Sequence, residues 1–301
     1  MRNSSAKRKI STKTLLIGWN RFKRDKSGII GLAIVLTIGL IASFAQSLAP
    51  YDPNTVFFYT MYGYPSLQHP FGLDTWGHDI LSRVIYGART VLFICLTAVA
   101  IELIIGVTIG ATGGHQGGKI GDLTSSLIDI FLIFPSFLFI MVIIKAFDIF
   151  VIGTPWESFP YRIFIIVFMI GFFGWPPLAR ITRAEFLKFK NYMFVEAAKS
   201  LGASDLRVIF KHIIPNALPP IIVVATLSMA SAIEWEAGLA FLGFGDANVP
   251  DWGFMLQLAK ADLSVAWWEA VYPGIAIFLA ILAFNLLGDG LNEALNPRLR
   301  N

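Results

Sequence analysis

Six runs of apolar residues, each long enough to cross a bilayer, restrict this chain more than any other feature. A hydrocarbon core of ~30 Å takes ~20 apolar residues in a helix. Such runs lie at about 28–48, 90–110, 123–147, 161–178, 218–240 and 270–288. A larger soluble core raises apolar content but does not produce several uninterrupted stretches of this length. Composition agrees, with 15% of residues charged and a mean hydropathy of +0.66, against ~25% charged in soluble domains. The expectation is an all-α integral membrane protein with six transmembrane helices. The fourth run is the shortest and ends at Trp175-Pro176-Pro177, which predicts a stop or kink. The first run exceeds the ~7–15 apolar residues of a signal peptide, and five more follow, so it is read as a retained span.

Lys and Arg placement sets the expected orientation. Nine of the 24 precede the first run: Arg2, Lys7, Arg8, Lys9, Lys13, Arg21, Lys23, Arg24 and Lys26. Lys119 follows the second run. Arg180, Arg183, Lys188, Lys190, Lys199, Arg207 and Lys211 lie between the fourth and fifth, and Arg298 and Arg300 end the chain. Only Arg83, Arg89, Lys145, Arg162 and Lys260 remain for the other side. Both termini are therefore expected in the cytoplasm, with residues 1–27 as a basic N-terminal segment and 28–301 as the membrane domain. Trp267 and Trp268 are expected at the outer interface. Segments 49–89 and 241–269 read as outer loops with short helices. Basic residues that flank apolar runs do not make a nucleic-acid surface.

Segment 180–217 is too long for a plain connector. Its apolar residues recur at helical spacing: Phe186, Phe189, Met193 and Ala197, then Leu206, Ile209 and Ile213. Gly202 interrupts the pattern and suits the left-handed residue that ends a helix. Ser204 and Asp205 can cap and charge the start of the next helix, and Pro215 is expected to end it. The result is a cytoplasmic helix–turn–helix with one apolar and one basic face.

At this point the chain resembles a family. Glu196-Ala197-Ala198, then Gly202 and Pro215 at their offsets, are similar to the Glu-Ala-Ala loop of ABC importer permeases. The wording from Phe194 to Ser204 and from His212 to Asn216 resembles the dipeptide/oligopeptide (and nickel) branch. So do Asp74 to Arg83, Phe241 to Gly245 and Asn285 to Leu291, while Trp19-Asn20-Arg21-Phe22 resembles the lead-in of its C-type permease. His78 stands where that branch usually has Arg, which questions a charge contact at that outer position. His212 replaces an apolar residue general among importer permeases.

The resemblance implies a type I importer permease fold in which residues 180–217 dock into a cytoplasmic ATPase. It assigns that coupling to Glu196, Ala197, Ala198, Gly202, Ala203, Ser204, Asp205 and Pro215. It also implies a second homologous permease as heterodimer partner, two ATPase subunits and an extracytoplasmic solute-binding protein, in a prokaryotic cell membrane. The solute would be a di- or oligopeptide, with nickel or another small solute as the alternative.

Three carboxylates within the spans are candidates for the translocation pathway: Glu102, Asp129 and Glu236. Charges inside a bilayer face protein or water. Ala98, Glu102, Gly106 and Gly110 share one helix face of small residues, which points Glu102 toward protein. Glu234 and Glu236 point to nearly opposite sides, and the resemblance favours Glu236. A structural hydrogen-bonded role stands beside the pathway role for each.

Nothing in the chain suggests an enzyme. Gly113 to Lys119 imitates a phosphate loop, but Ile120 stands where Ser or Thr would bind magnesium and no strand precedes it. ATP and magnesium are thus expected only on partner subunits, with no cofactor here. Cys95 is the single cysteine, and His69, His78, His115 and His212 are spread along the chain as expected surface or loop residues rather than metal ligands. A proton-coupled secondary transporter using Glu102 and Glu236, and a membrane-embedded assembly factor, are the competing readings. Neither explains segment 180–217.

Overall fold

The computed structural model describes residues 19–57, 62–155 and 159–295. The basic residues before Trp19, together with Arg298 and Arg300, lie outside them. The described residues form α1 (Lys26–Ser43), α2 (Ala45–Leu48), α3 (Ile80–Gln116), α4 (Gly118–Ile133), α5 (Ser136–Val151) and α6 (Tyr161–Lys190). They continue with α7 (Met193–Ser200), α8 (Asp205–Val208), α9 (Ile214–Leu239), α10 (Trp252–Ala259) and α11 (Trp268–Leu295). Two isolated β-bridges, Val56 to His78 and Leu73 to Asp79, are the extended pairing among them.

Among the described residues, five helices are long and apolar enough to cross a membrane, and the bent pair α4–α5 makes a sixth crossing if it counts as one span. Their outer faces are apolar, as lipid requires: Ile104 is 70% exposed, Ile149 75% and Phe150 79%. The polar backbone is satisfied inside each helix, so helix packing falls to small residues and shape. The densest packing joins α3 to α6. Gly106, Gly110 and Gly114 recur every four residues on α3. A Cβ at Gly106 would lie 2.8 Å from Leu178 Cβ, and one at Gly114 would lie 2.6 Å from Phe186 Cβ. The two backbones approach this closely because those side chains are missing. α1 lies along α11, and α9 packs on α11, α6 and α3.

Four expectations from sequence change. The third span is not one helix. Phe134 precedes Pro135, and that ring drives it out of the helical region to φ −65°, ψ 131°. α4 and α5 therefore meet at 72°. Conversely, α6 runs through Pro176 and Pro177 to Lys190 without stopping. The two prolines remove only two N–H donors, and the α3 seam holds the helix on both sides of them. Pro215 does not end a helix either. A π-helical turn at Ile209–Ile213 joins α8 to α9, with the Ile214 N–H donating to the Ile209 carbonyl. That wider turn admits Pro215 as an early residue of α9. The short cytoplasmic helix of the sequence reading is thus the first part of the fifth span.

Fourth, the outer segments are more helical at one edge and less within. Residues 80–89 already belong to α3, and residues 49–57 and 62–79 form turns and bridges without a helix. Segment 241–269 holds α10 and, at its start, a π-helical turn at Ala240–Phe244. Trp268 is buried, its indole N–H donating to the Leu73 carbonyl at 3.1 Å, whereas Trp267 stays exposed.

Candidate functional site

At one end of the bundle, residues 191–213 form a compact projection. α7 ends in a paired-bond turn: the Gly202 N–H donates to the Lys199 carbonyl at 2.9 Å, and the Ala203 N–H to the Ala198 carbonyl at 3.1 Å. Gly202 sits at φ +80°, which suits a residue without Cβ. Asp205 opens α8 and is bound from two sides, with Lys199 Nζ and His115 Nε2 each 3.4 Å away. His115 lies in the last turn of α3, so this contact ties the projection to the longest helix. Ser204 holds the N-cap position, but its hydroxyl makes no capping bond.

The projection has a buried back and an apolar front. Val195, Val208 and Ile213 are its anchors, each at most 1% exposed. Met193 (85% exposed), Leu201 (88%), Leu206 (69%) and Phe210 (67%) stand in the open. Of the residues that helical spacing groups as apolar, the fold buries Phe186 and Ile213 and leaves Met193 and Leu206 uncovered. Glu196, Ala197, Gly202 and Pro215 are exposed, and Ala198 and Ala203 are half-buried. Four large apolar side chains thus stand uncovered on one projection.

The three carboxylates of the spans do not come together. Glu102 is 3% exposed and borders a partly open cavity of about 270 Å³ whose walls include Phe131, Ser136, Phe173, Ser228 and Trp235. Neither Asp129 nor Glu236 lines it. Asp129 is exposed on α4 and forms an ion pair with Arg180 at 2.6 Å. Glu236 is 1% exposed and lies beside Asp251, the N-cap of α10. Burial pushes the Asp251 carboxyl above its ordinary range, although the N–H groups of Gly253 and Phe254 donate to it. Glu234, two residues from Glu236, is exposed.

The opposite end holds a buried polar knot that sequence reasoning did not assemble. Arg83, 1% exposed, donates to His78 Nδ1 at 2.9 Å and lies 3.8 Å from Asp74. His78 is 3.0 Å from Asp74, and His69 is 2.9 Å from Asp79. His78 is therefore a buried participant rather than a surface residue, and it keeps a polar contact at the position where Arg was expected. Asp251 and Glu269, each 2% exposed, approach from α10 and α11. The spacing Asp74, His78 and Arg83 was a local signal, but Asp251 and Glu269 join only through the fold. A second clamp sits nearby in sequence to α5. Arg162 grips both oxygens of Asp148 at 3.0 Å and donates to the Gly245 carbonyl.

Comparison with known proteins gives this arrangement its context. Residues 103–301 match the family described as binding-protein-dependent transport system inner membrane component. Residues 16–70 match the N-terminal TM domain of oligopeptide transport permease C. The chain is 37% identical to the glutathione transport system permease protein GsiD of Escherichia coli O1:K1 / APEC, over 94% of this chain and 90% of that one. It is 38% identical to the di/tripeptide transport system permease protein DppC of Pseudomonas aeruginosa (strain UCBPP-PA14), over 94% and 92% respectively. Among solved structures, a chain of the inward-facing MetNI methionine ABC transporter superposes with a TM-score of 0.53. It is 18% identical, covers 70% of this chain and 97% of its own length, and speaks for the fold alone. The fold is that of a type I importer permease, and the family's members are non-enzymatic and carry no cofactor of their own. With matching sequence over nearly its whole length and the same helical frame, this chain belongs to the family of binding-protein-dependent transport system inner membrane components, as a multi-pass permease subunit of an ABC importer.

Proposed function

We propose that this permease carries di- or oligopeptides, a reading supported by relatives named for glutathione (GsiD) and di/tripeptide (DppC) transport. It works as one half of a heterodimer with a second homologous permease. Two cytoplasmic ATPase subunits supply ATP and magnesium, and an extracytoplasmic binding protein delivers the solute. Both termini lie in the cytoplasm, residues 1–27 form a basic segment there, and residues 28–301 form the permease domain. The docking element is segment 180–217, with Glu196, Ala197, Ala198, Gly202, Ala203, Ser204, Asp205 and Pro215 as its coupling residues.

One observation carries this reading. The apolar front of Met193, Leu201, Leu206 and Phe210 surrounds the Gly202 turn and is pinned from behind by Val195, Val208 and Ile213. ATPase closure moves the spans only if it pushes on something stiff, and the helical run from Asp205 through the π-helical turn to Leu239 conveys that push into the membrane. The proposed pathway includes Glu102 with its cavity and, more peripherally, Asp129, ion-paired on the surface, and Glu236, sealed beside Asp251.

The test is purification of a tagged chain expressed with its neighbouring genes, followed by peptide uptake in liposomes. The expected product holds a second permease and ATPase subunits and moves peptide when ATP and binding protein are present. A stable homo-oligomer that transports alone would overturn the proposal.

A further inference from the structure

The cavity beside Glu102 has the chemistry of a site for one charged group. Glu102 comes from α3, Ser136 from the start of α5, Phe173 and Gly174 from α6, and Ser228, Ser231 and Trp235 from α9. With Phe131 and Leu132 of α4, five helices converge on the cavity that Glu102 borders. Its Oε2 atom is buried and finds no hydrogen-bond partner among the described residues. The Ser228 hydroxyl lies within hydrogen-bond reach of the same carboxyl. A Cβ at Gly174 would collide with the Glu102 carboxyl, so the side chain occupies space that a glycine leaves free. A buried carboxylate with an open oxygen is costly unless it takes up a proton or a cation meets it.

The rest of the wall fits the same ligand. Among the described residues no Lys or Arg lines the cavity, so no fixed positive charge there neutralises an anion. Phe131, Phe134, Phe173 and Trp235 offer aromatic faces, which attract cations. Serine hydroxyls can accept the remaining N–H bonds of an ammonium. The volume, about 270 Å³, falls just under the ~300–1,000 Å³ of sites that enclose a whole small molecule. It takes the end of a chain rather than all of it.

We infer that Glu102 and this cavity hold a primary ammonium group of the solute in transit. The inference rests on the peptide reading above and sharpens it: the free amino end, or a lysine side chain, is the group held within the membrane domain. Recognition by the binding protein is a separate step, so the test leaves that protein out.

The permease–ATPase complex is placed in nanodiscs without binding protein. Equilibrium binding is measured for radiolabelled trialanine, N-acetyl-trialanine and N-acetyl-alanyl-lysyl-alanine. The wild-type complex should bind trialanine roughly tenfold more tightly than its acetylated form, the size of one charge-assisted contact. Glu102→Gln should bind both equally weakly, and Glu102→Asp should keep the preference. If the lysine probe binds like trialanine, the site accepts any primary ammonium. If it binds like the acetylated form, the site is specific for the amino end, and either result supports the inference. Equal binding of free and acetylated trialanine by wild type would overturn it, as would a preference that survives in Glu102→Gln. A Glu102→Gln complex that no longer assembles, with Glu102→Asp showing no preference, would assign the carboxyl to packing instead. Uptake by intact cells tests the underlying reading separately. Failure to import peptide, with Glu102-dependent ammonium binding retained, would sink peptide import alone.

Discussion

Substitution of Gly202 isolates one physical quantity. A Cβ built at this residue meets nothing within 4 Å, so a side chain there creates no clash. The whole effect comes from the backbone, which stands at φ +80°. For a residue with a Cβ, that left-handed conformation costs about 1–2 kcal/mol. Alanine should therefore reduce the population of the native turn by roughly 5–30-fold relative to its alternatives. Asparagine tolerates the same region, and valine, branched at Cβ, is a genuine outlier there. The expected order of function is Gly, then Asn, then Ala, then Val. As the turn opens, the two bonds to the Ala198 and Lys199 carbonyls are lost and α8 swings away from α7. The assay is co-purification of ATPase subunits with the tagged permease, read beside peptide uptake, with membrane level as control. Gly202 lies outside the apolar spans, so all four variants should insert equally. Full uptake by Gly202→Val, or an asparagine variant as poor as valine, would refute the argument from backbone conformation.

The remaining expectations concern packing and topology. Gly114→Leu forces a side chain onto Phe186, 2.6 Å from the position of its Cβ. It should lower the thermal stability of the complex by about 1–3 kcal/mol, whereas Gly39→Leu, which faces open space, should change nothing in the same melting assay. Arg83→Ala leaves Asp74 and His78 without their buried cation and should cost about 3–5 kcal/mol, read as lowered membrane levels and faster proteolysis; wild-type levels would argue that the knot is dispensable. Reporter fusions at Gln68 and Asn248 should report outside the cell and a fusion at Lys190 inside, and the reverse pattern would sink the assigned orientation.

The spans were legible because the bilayer imposes one length on every crossing, and a run of apolar residues records it directly. Their interruptions were not, because hydropathy is blind to backbone. Phe134-Pro135 lies inside an apolar run, and only the steric demand of the proline ring on its neighbour turns α4 away from α5. The opposite error arose at Pro176-Pro177, where a local breaker is overruled by the glycine seam of α3. Gly202 was readable from its spacing, since a left-handed turn selects glycine for a local reason. The exposure of Met193 and Leu206 was not legible, because periodicity tells which residues share a face but not whether anything covers it. The polar knot escaped for a further reason: Asp74 and Glu269 are far apart in sequence, and no local pattern announces that they meet.

α3 has a mechanical consequence. With 37 residues at ~1.5 Å each it measures roughly 55 Å, well beyond the ~30 Å hydrocarbon core. It starts in the buried knot at Asp79 and ends at His115, in contact with Asp205. No proline interrupts it, and the seam with α6 stiffens its second half. A rod of that length behaves as a lever arm: a rotation of about 10° about one end displaces the other by roughly 10 Å. A small angular strain at the Asp205 end is therefore geometrically amplified at the Arg83 end, with no relay of intermediate contacts in between.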